Sequence, residues 1–316
     1  MRLIFFGSSD FSLPSLQACL ESGCEVVLVI TTPDQKKGRG LQQFSNSVRQ
    51  FCLKHRVPCE AFGTLKNPQF LEAVKALKPD IFVVASYGKL IPSAWIELPA
   101  HRLNVHPSLL PKYRGAAPLN WPILEGDNET GLSIAEITAK LDSGDIFYQE
   151  KVPLDLQMDS ERLGSDLAQR ARGGLLRMLS QIQQGIKLKR KVQEESKASM
   201  TRKLTKEDGL LDWYEDAQTW SRKIRGLKPW PGTYIFFEKE LLGIMAAELA
   251  AGTAAGEPGT LLSLEKDQSI KVQTVNGVLR IMQVKPAGKK TMKAADFIRG
   301  RRLQPGFNFF KFAGGA

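Results

Sequence analysis

Residues 25–30 read EVVLVI and residues 80–85 read DIFVVA. Neither run alternates apolar with polar residues, so neither suits a strand with one wet face. Each reads as a strand buried on both faces, which is what a parallel sheet covered by helices requires. Moving outward from these two runs, residues 2–6 form a third apolar run, ended by Gly7, and 102–106 a short fourth. Helical spacing of apolar residues appears at 11–20, 45–55 and 67–77, and again at 118–125 and 160–184. Residues 132–137 and 146–154 are strand-like. Alternating strands and helices predict an α/β domain, with an open, Rossmann-like, mostly parallel sheet, over residues 1–189. Residues 190–208 are polar, basic and poor in large apolar side chains, and are expected to form an exposed linker. From 209 to 316 the texture changes. A helix at 217–227 precedes five short strand-like runs, at 233–237, 242–249, 259–264, 270–274 and 278–284, separated by Gly, Pro, Asn or Asp. These predict a small OB-like β-barrel, with Trp213, Trp220 and Trp230 in its core.

The chain has 316 residues and a net charge of +11. Residues 1–185 carry 20 basic and 19 acidic side chains, whereas residues 186–316 carry 24 and 14. Nearly all the excess charge thus falls on the second half, which points to a polyanionic partner there. Cys19, Cys24, Cys52 and Cys59 lack zinc or redox spacing and are expected to be reduced, structural thiols of a cytoplasmic protein. No metal site is indicated. The apolar run after Met1 is too short for a signal-peptide core, and no later run approaches a membrane span.

In an open α/β sheet, ligands bind beyond the carboxyl ends of the strands, near the point where strand order reverses. The turn Phe6-Gly7-Ser8-Ser9-Asp10 lacks the second and third glycines of a dinucleotide site and has no phosphate-binding lysine. More informative is NVHPSLLPKYRGAAP, residues 104–118. Asn104 and His106 are two apart on a strand and so share a side. Pro107 cannot continue a central strand, so the chain must leave the sheet there, before the Lys112-Tyr113-Arg114 cluster. A neutral imidazole accepts a proton and an Asn amide N–H can bond a developing oxyanion, a pair suited to attack by an amine on a carbonyl. A carboxylate to orient the imidazole is missing locally. The polar turn Leu141-Asp142-Ser143-Gly144-Asp145 could supply one, through Asp142 or Asp145.

Taken in order, Asn-x-His, Ser-Leu-Leu-Pro, Arg-Gly-Ala-Ala-Pro and Leu-Asp-Ser-Gly-Asp resemble the folate-dependent formyltransferases. So do the opening Phe-Gly-Ser-Ser-Asp-Phe, Ala-Ser-Tyr-Gly-Lys-Leu-Ile-Pro (85–92), Gly-Asp-Asn-Glu-Thr-Gly (126–131) and Lys-Pro-Ala-Gly-Lys-Lys (285–290). The resemblance runs through essentially the whole chain. It implies that Asn104, His106 and Asp142 form a catalytic trio. It further implies that Ser108, Leu109, Leu110 and Pro111 hold tetrahydrofolate, and that the backbone around Tyr87–Leu90 (Tyr87 and Leu90 above all) frames the pterin pocket. The implied reaction moves the formyl group of 10-formyltetrahydrofolate to the α-amino group of methionyl initiator tRNA. Pro107 departs from the family, which has a small residue there.

Binding of the tRNA is expected from two basic regions. One is the loop 34–40, with Lys36, Lys37 and Arg39. The other is the C-terminal domain with its linker, where Lys285, Lys289, Lys290, Lys293, Arg299, Arg301 and Arg302 crowd one segment; Arg39, near the acceptor end, and Lys289 and Lys290 are the expected contacts. The alternatives are a formyltransferase for a small amine, such as an amino sugar nucleotide or a purine precursor, and an inactive RNA-binding relative. A monomer is expected.

Overall fold

A computed structural model describes residues 1–37, 42–252 and 256–312. The chain divides into two compact units. Residues 1–118, 129–153 and 162–202 form one, and residues 119–128, 154–161 and 203–316 the other.

The first unit is built on a seven-stranded sheet. Its order is Ile146–Pro153, Glu129–Glu136, His101–His106, Ile81–Ala85, Arg2–Gly7, Glu25–Thr31 and Cys59–Ala61. The last five are mutually parallel, Glu129–Glu136 runs antiparallel to them, and Ile146–Pro153 at the edge pairs antiparallel with Glu129–Glu136. The two runs expected to be buried on both faces are therefore internal parallel strands. Chain order reverses between Arg2–Gly7 and Ile81–Ala85. There Ser12 Oγ donates to the Ala85 carbonyl (2.6 Å) and Ser8 Oγ to that of Tyr87 (3.3 Å), joining the two strand ends. A Cβ on Gly7 would lie 2.6 Å from Phe5 Cε1 and 2.8 Å from Ser12 Cβ, so this glycine serves close packing at the turn. On one side of the sheet, Phe6 packs edge-on against Phe82, Tyr87 and Trp95. The helix Ser160–Gln183 closely matches its expected span.

The division after Arg202 differs from the expected linker at 190–208. Residues 191–201 run along the first unit as a strap. Lys191 and Ile146 exchange two backbone hydrogen bonds, and Met200–Thr201 pairs in parallel with Arg114–Gly115. The polar composition that suggested a solvated linker instead feeds hydrogen bonds to the unit it crosses. The helix Trp121–Glu125 is shorter than expected and belongs to the second unit.

That second unit carries an antiparallel sheet in the order Tyr234–Phe237, Glu240–Ala250, Val278–Pro286, Ile270–Gln273 and Leu261–Leu264. All five expected strands are present, with Met292–Lys293 as a short sixth. Trp213 and Trp220 lie in its core, their ring centroids 4.6 Å apart. Trp230 does not. It is 56% exposed between two prolines whose peptide bonds are both cis. The four cysteines are free thiols. Among the described residues, no helix is long and apolar enough to cross a membrane.

Candidate active site

The strand His101–His106 is internal, lying between Ile81–Ala85 and Glu129–Glu136. Its final residues therefore have a fixed register, with His106 opposite Ser133 and Asn104 opposite Ala135. The chain then turns about Pro107, where the Ser108 N–H donates to the His106 carbonyl (2.9 Å). That two-residue span is a γ-turn, and proline's φ of about −65° is close to the about −75° its centre needs. The same turn aims the chain at the Glu129–Glu136 strand.

Three side chains converge at the end of this strand. Asn104 Nδ2 donates to Asp142 Oδ1 (2.9 Å), and His106 Nδ1 lies 3.7 Å from Asp142 Oδ2. Asp142 Oδ2 also accepts the backbone N–H of Gly115 (2.8 Å). His106 is 5% exposed, and its Nε2 lies 2.9 Å from the Tyr113 carbonyl oxygen. A carbonyl can only accept, so Nε2 carries a proton and the lone pair of the neutral ring is on Nδ1, toward Asp142. Proton uptake at Nδ1 would place a positive charge directly beside the carboxylate. Of the two aspartates in the turn, only Asp142 joins the trio. The Asp145 carboxylate lies 3.6 Å from Arg190 instead.

Asp142 sits in the left-handed region, at φ 50°. Gly144, two residues on, is obligatory because a Cβ there would lie 2.0 Å from the Glu136 carbonyl oxygen. A sequence-distant set of polar groups holds this turn from below. Gln193 Nε2 donates to the carbonyls of Asp142 (2.9 Å) and Gly144 (2.7 Å), while its Oε1 accepts from Arg114 Nε (3.1 Å) and Nη2 (2.9 Å). Arg114 is 2% exposed and forks onto both Glu195 oxygens at 3.1 Å. The guanidinium keeps the Glu195 carboxyl below its usual range.

The segment Ser108–Pro111 follows His106 directly and is anchored from two strands. Ser133 Oγ donates to the Ser108 carbonyl (2.7 Å) and accepts the Leu110 N–H (3.1 Å), and Gln149 Nε2 bonds the Leu110 carbonyl (2.9 Å). Leu110 packs with Ala135 and Ile146, and Leu110–Pro111 is cis. Leu109 lies over Gly131, where a Cβ would come within 2.6 Å of Leu109 Cδ2.

The remaining residues singled out in the sequence are not part of this cluster. Tyr87 points into the aromatic core, its hydroxyl buried without a partner among the described residues, and burial pushes its phenol up to about 12. Leu90 is 74% exposed. Lys36 and Lys37 stand on a short strand, Gln35–Lys37, paired with Gln42–Phe44, and Arg39 lies outside the described residues. Lys289 and Lys290 are exposed just after the strand Val278–Pro286 of the second unit, where Lys289 N–H donates to the Pro286 carbonyl (3.1 Å).

Sequence reasoning did not find Gln193, Glu195 or the roles of the Tyr113 carbonyl and Gly115 N–H. Arg114 stood in a motif already quoted, but nothing local distinguished it from a surface cation.

A family model described as formyl transferase matches residues 1–179, and one described as formyl transferase, C-terminal domain, matches residues 203–302. The methionyl-tRNA formyltransferase of Citrifermentans bemidjiense is 37% identical over 307 residues, 97% of this chain and 95% of that protein. Among solved structures, HypX of Aquifex aeolicus in complex with tetrahydrofolic acid aligns with a TM-score of 0.61 at 18% identity. That alignment covers 94% of this chain, which spans about half (47%) of the HypX chain. An N-formyltransferase of Helicobacter canadensis, in complex with folinic acid and dTDP-3-aminofucose, gives a TM-score of 0.65 at 16% identity, covering 88% of this chain and 98% of its own. At these identities the two structures bear on the fold alone.

Proposed function

The chain belongs to the formyl transferase family, and from that premise we propose that it transfers the formyl group of 10-formyltetrahydrofolate to the α-amino group of methionyl initiator tRNA. The observation carrying this reading is the convergence of Asn104, His106 and Asp142, at 2.9 and 3.7 Å, at the end of an internal strand. That the relatives matching nearly the whole chain are methionyl-tRNA formyltransferases supports the choice of substrate.

In the proposed reaction, the amine nitrogen attacks the formyl carbon, a C–N bond forms, and the carbonyl becomes an oxyanion. Asn104 gives one amide N–H to Asp142 and has a second for this oxyanion. His106, protonated at Nδ1, adds a compensating charge. Asp142 takes the proton released by the attacking nitrogen. Collapse of the tetrahedral centre breaks the bond from the formyl carbon to N10, and, as tetrahydrofolate leaves, N10 takes up the proton that Asp142 received. Donors fixed before the charge develops cost no reorganisation during the reaction, and the internal strand and held turn fit that requirement. Ser108, Leu109, Leu110 and Pro111, with the backbone around Tyr87–Leu90, are assigned to the folate. Lys36, Lys37, Arg39, Lys289 and Lys290 are assigned to the tRNA phosphates. The protein acts in this reading as a cytoplasmic monomer.

The test is formyl transfer from 10-formyltetrahydrofolate to methionyl initiator tRNA, run beside an amino sugar nucleotide, at low and raised salt. Transfer to the tRNA alone, with a KM that climbs steeply with salt, is the expected result. Turnover on the small amine and none on the tRNA would keep the trio and overturn the substrate.

A further inference from the structure

The strap formed by residues 191–201 bonds both the strip 111–116 and the Asp142 turn, the two segments that flank the trio. Its Lys191 is tied to Ile146 by two hydrogen bonds. Gln193 then reaches the Asp142 turn from one side and Arg114 from the other. Farther along, the Ser199 N–H donates to the Pro111 carbonyl (3.2 Å), Ser199 Oγ accepts the Tyr113 N–H (2.8 Å), and the Ser199 carbonyl accepts the Arg114 N–H (2.9 Å). Thr201 bonds the Arg114 carbonyl through Oγ1 (3.0 Å) and the Ala116 N–H through its own carbonyl (3.2 Å). The strip 111–116 pinned in this way presents the Tyr113 carbonyl to His106 and the Gly115 N–H to Asp142.

Within this strap, Gln193 bonds Arg114 of the strip together with the carbonyls of Asp142 and Gly144, whereas Glu195 joins Arg114 to Lys140 (3.4 Å) and does not reach Asp142. Gln193 is 7% exposed, and its amide spends both ends on this link. The bonds among Thr138, Lys140 and Ser143 within the turn do not reach Asp142. A residue at positive φ with two fixed carbonyls around it has its side chain aimed by those carbonyls. Resting on the assignment of Asp142 to the reaction, we infer that Gln193, seated on Arg114, is a positioning residue: it sets the carboxylate of Asp142 against Asn104 and Gly115.

Two substitutions separate this role from mere stability. Gln193→Met keeps the length but removes donor and acceptor. Gln193→Glu keeps an acceptor for Arg114 while facing the Asp142 and Gly144 carbonyls with an oxygen that cannot donate. Both variants are expected to bind folate and tRNA with near wild-type KM and to lose kcat by about 10–100-fold, the scale of a misplacement of about 1 Å. A lowered melting temperature with kcat unchanged would assign Gln193 to stability alone and overturn the inference. Asp142→Ala is measured alongside. If it abolishes turnover while both Gln193 variants work normally, only the positioning role fails. If Asp142→Ala itself turns over normally, the assignment of Asp142 fails.

Discussion

At the end of the strand His101–His106 and at the end of the strand Val278–Pro286, this chain uses charge in opposite ways. In the first place Asp142 and Arg114 are largely withdrawn from water, and each has its polar atoms bonded in fixed directions. In the second, Lys285, Lys289, Lys290, Lys293 and Arg302 are exposed, with no carboxylate within ion-pair distance among the described residues. A buried charge tolerates few arrangements, since losing one partner leaves the other uncompensated. Exposed, unpaired cations tolerate many, and what counts is how many phosphates they neutralise. The difference teaches that chemistry and adhesion should separate on substitution: changes in the cleft should appear in kcat, and changes at the basic turn in KM and its salt dependence.

The sharpest way to break that separation is Asn104→Ala. Removing one donor to an oxyanion typically costs about 10²–10³ in kcat, so turnover should fall by that factor with both KM values little changed. Steady-state kinetics with each substrate varied in turn is the check. Wild-type turnover would take Asn104 out of the mechanism, and a change confined to KM would make it a binding residue.

Next in size is the pair Lys289→Ala and Lys290→Ala combined. Each lost phosphate contact lowers the slope of log affinity against log salt by roughly 0.7–0.9. The double variant should raise the KM for tRNA several-fold at low salt, flatten its salt dependence by one to two such steps, and leave kcat alone. An unchanged slope would remove these two lysines from the RNA surface and turn attention to the 34–40 region.

The same contrast explains what could be read without a structure. Strands such as EVVLVI and DIFVVA are legible because a parallel strand buried on both faces needs an unbroken apolar run. Asn104 and His106 are legible as a pair because strand periodicity puts alternate residues on one side. Asp142 could be proposed only as one of two aspartates in a turn, and the resemblance, not the turn, chose between them. The strap at 191–201 was unreadable. Its bonds to Arg114 and Asp142 span 51 to 81 residues, and a polar, basic string has the same composition whether water or protein receives its hydrogen bonds. Trp230 failed for the converse reason: a large aromatic side chain says it favours burial, not that the neighbouring prolines leave it room to be buried. The three-residue strand Cys59–Ala61 is too short for any periodicity to show.

The smallest effect belongs to Pro107, where the resemblance leads one to expect a small residue. A rigid residue between the imidazole and the folate loop could be a defect in a loop that must flex. The geometry points the other way. The Ser108 N–H already closes a turn on the His106 carbonyl, and Ser133 and Gln149 fix Ser108 and Leu110 just beyond it. Where the native backbone already suits proline, the ring stabilises by limiting the unfolded chain, by about 0.4–1 kcal/mol. Pro107→Ala should therefore lower stability to denaturant by about that amount, with kcat and the folate KM near those of the parent. If turnover rose instead, the loop would have to move during catalysis, and the held geometry described for the cleft would be one state of two. If the KM for folate rose with no loss of stability, the turn would be shaping the folate site directly rather than through the order of the chain.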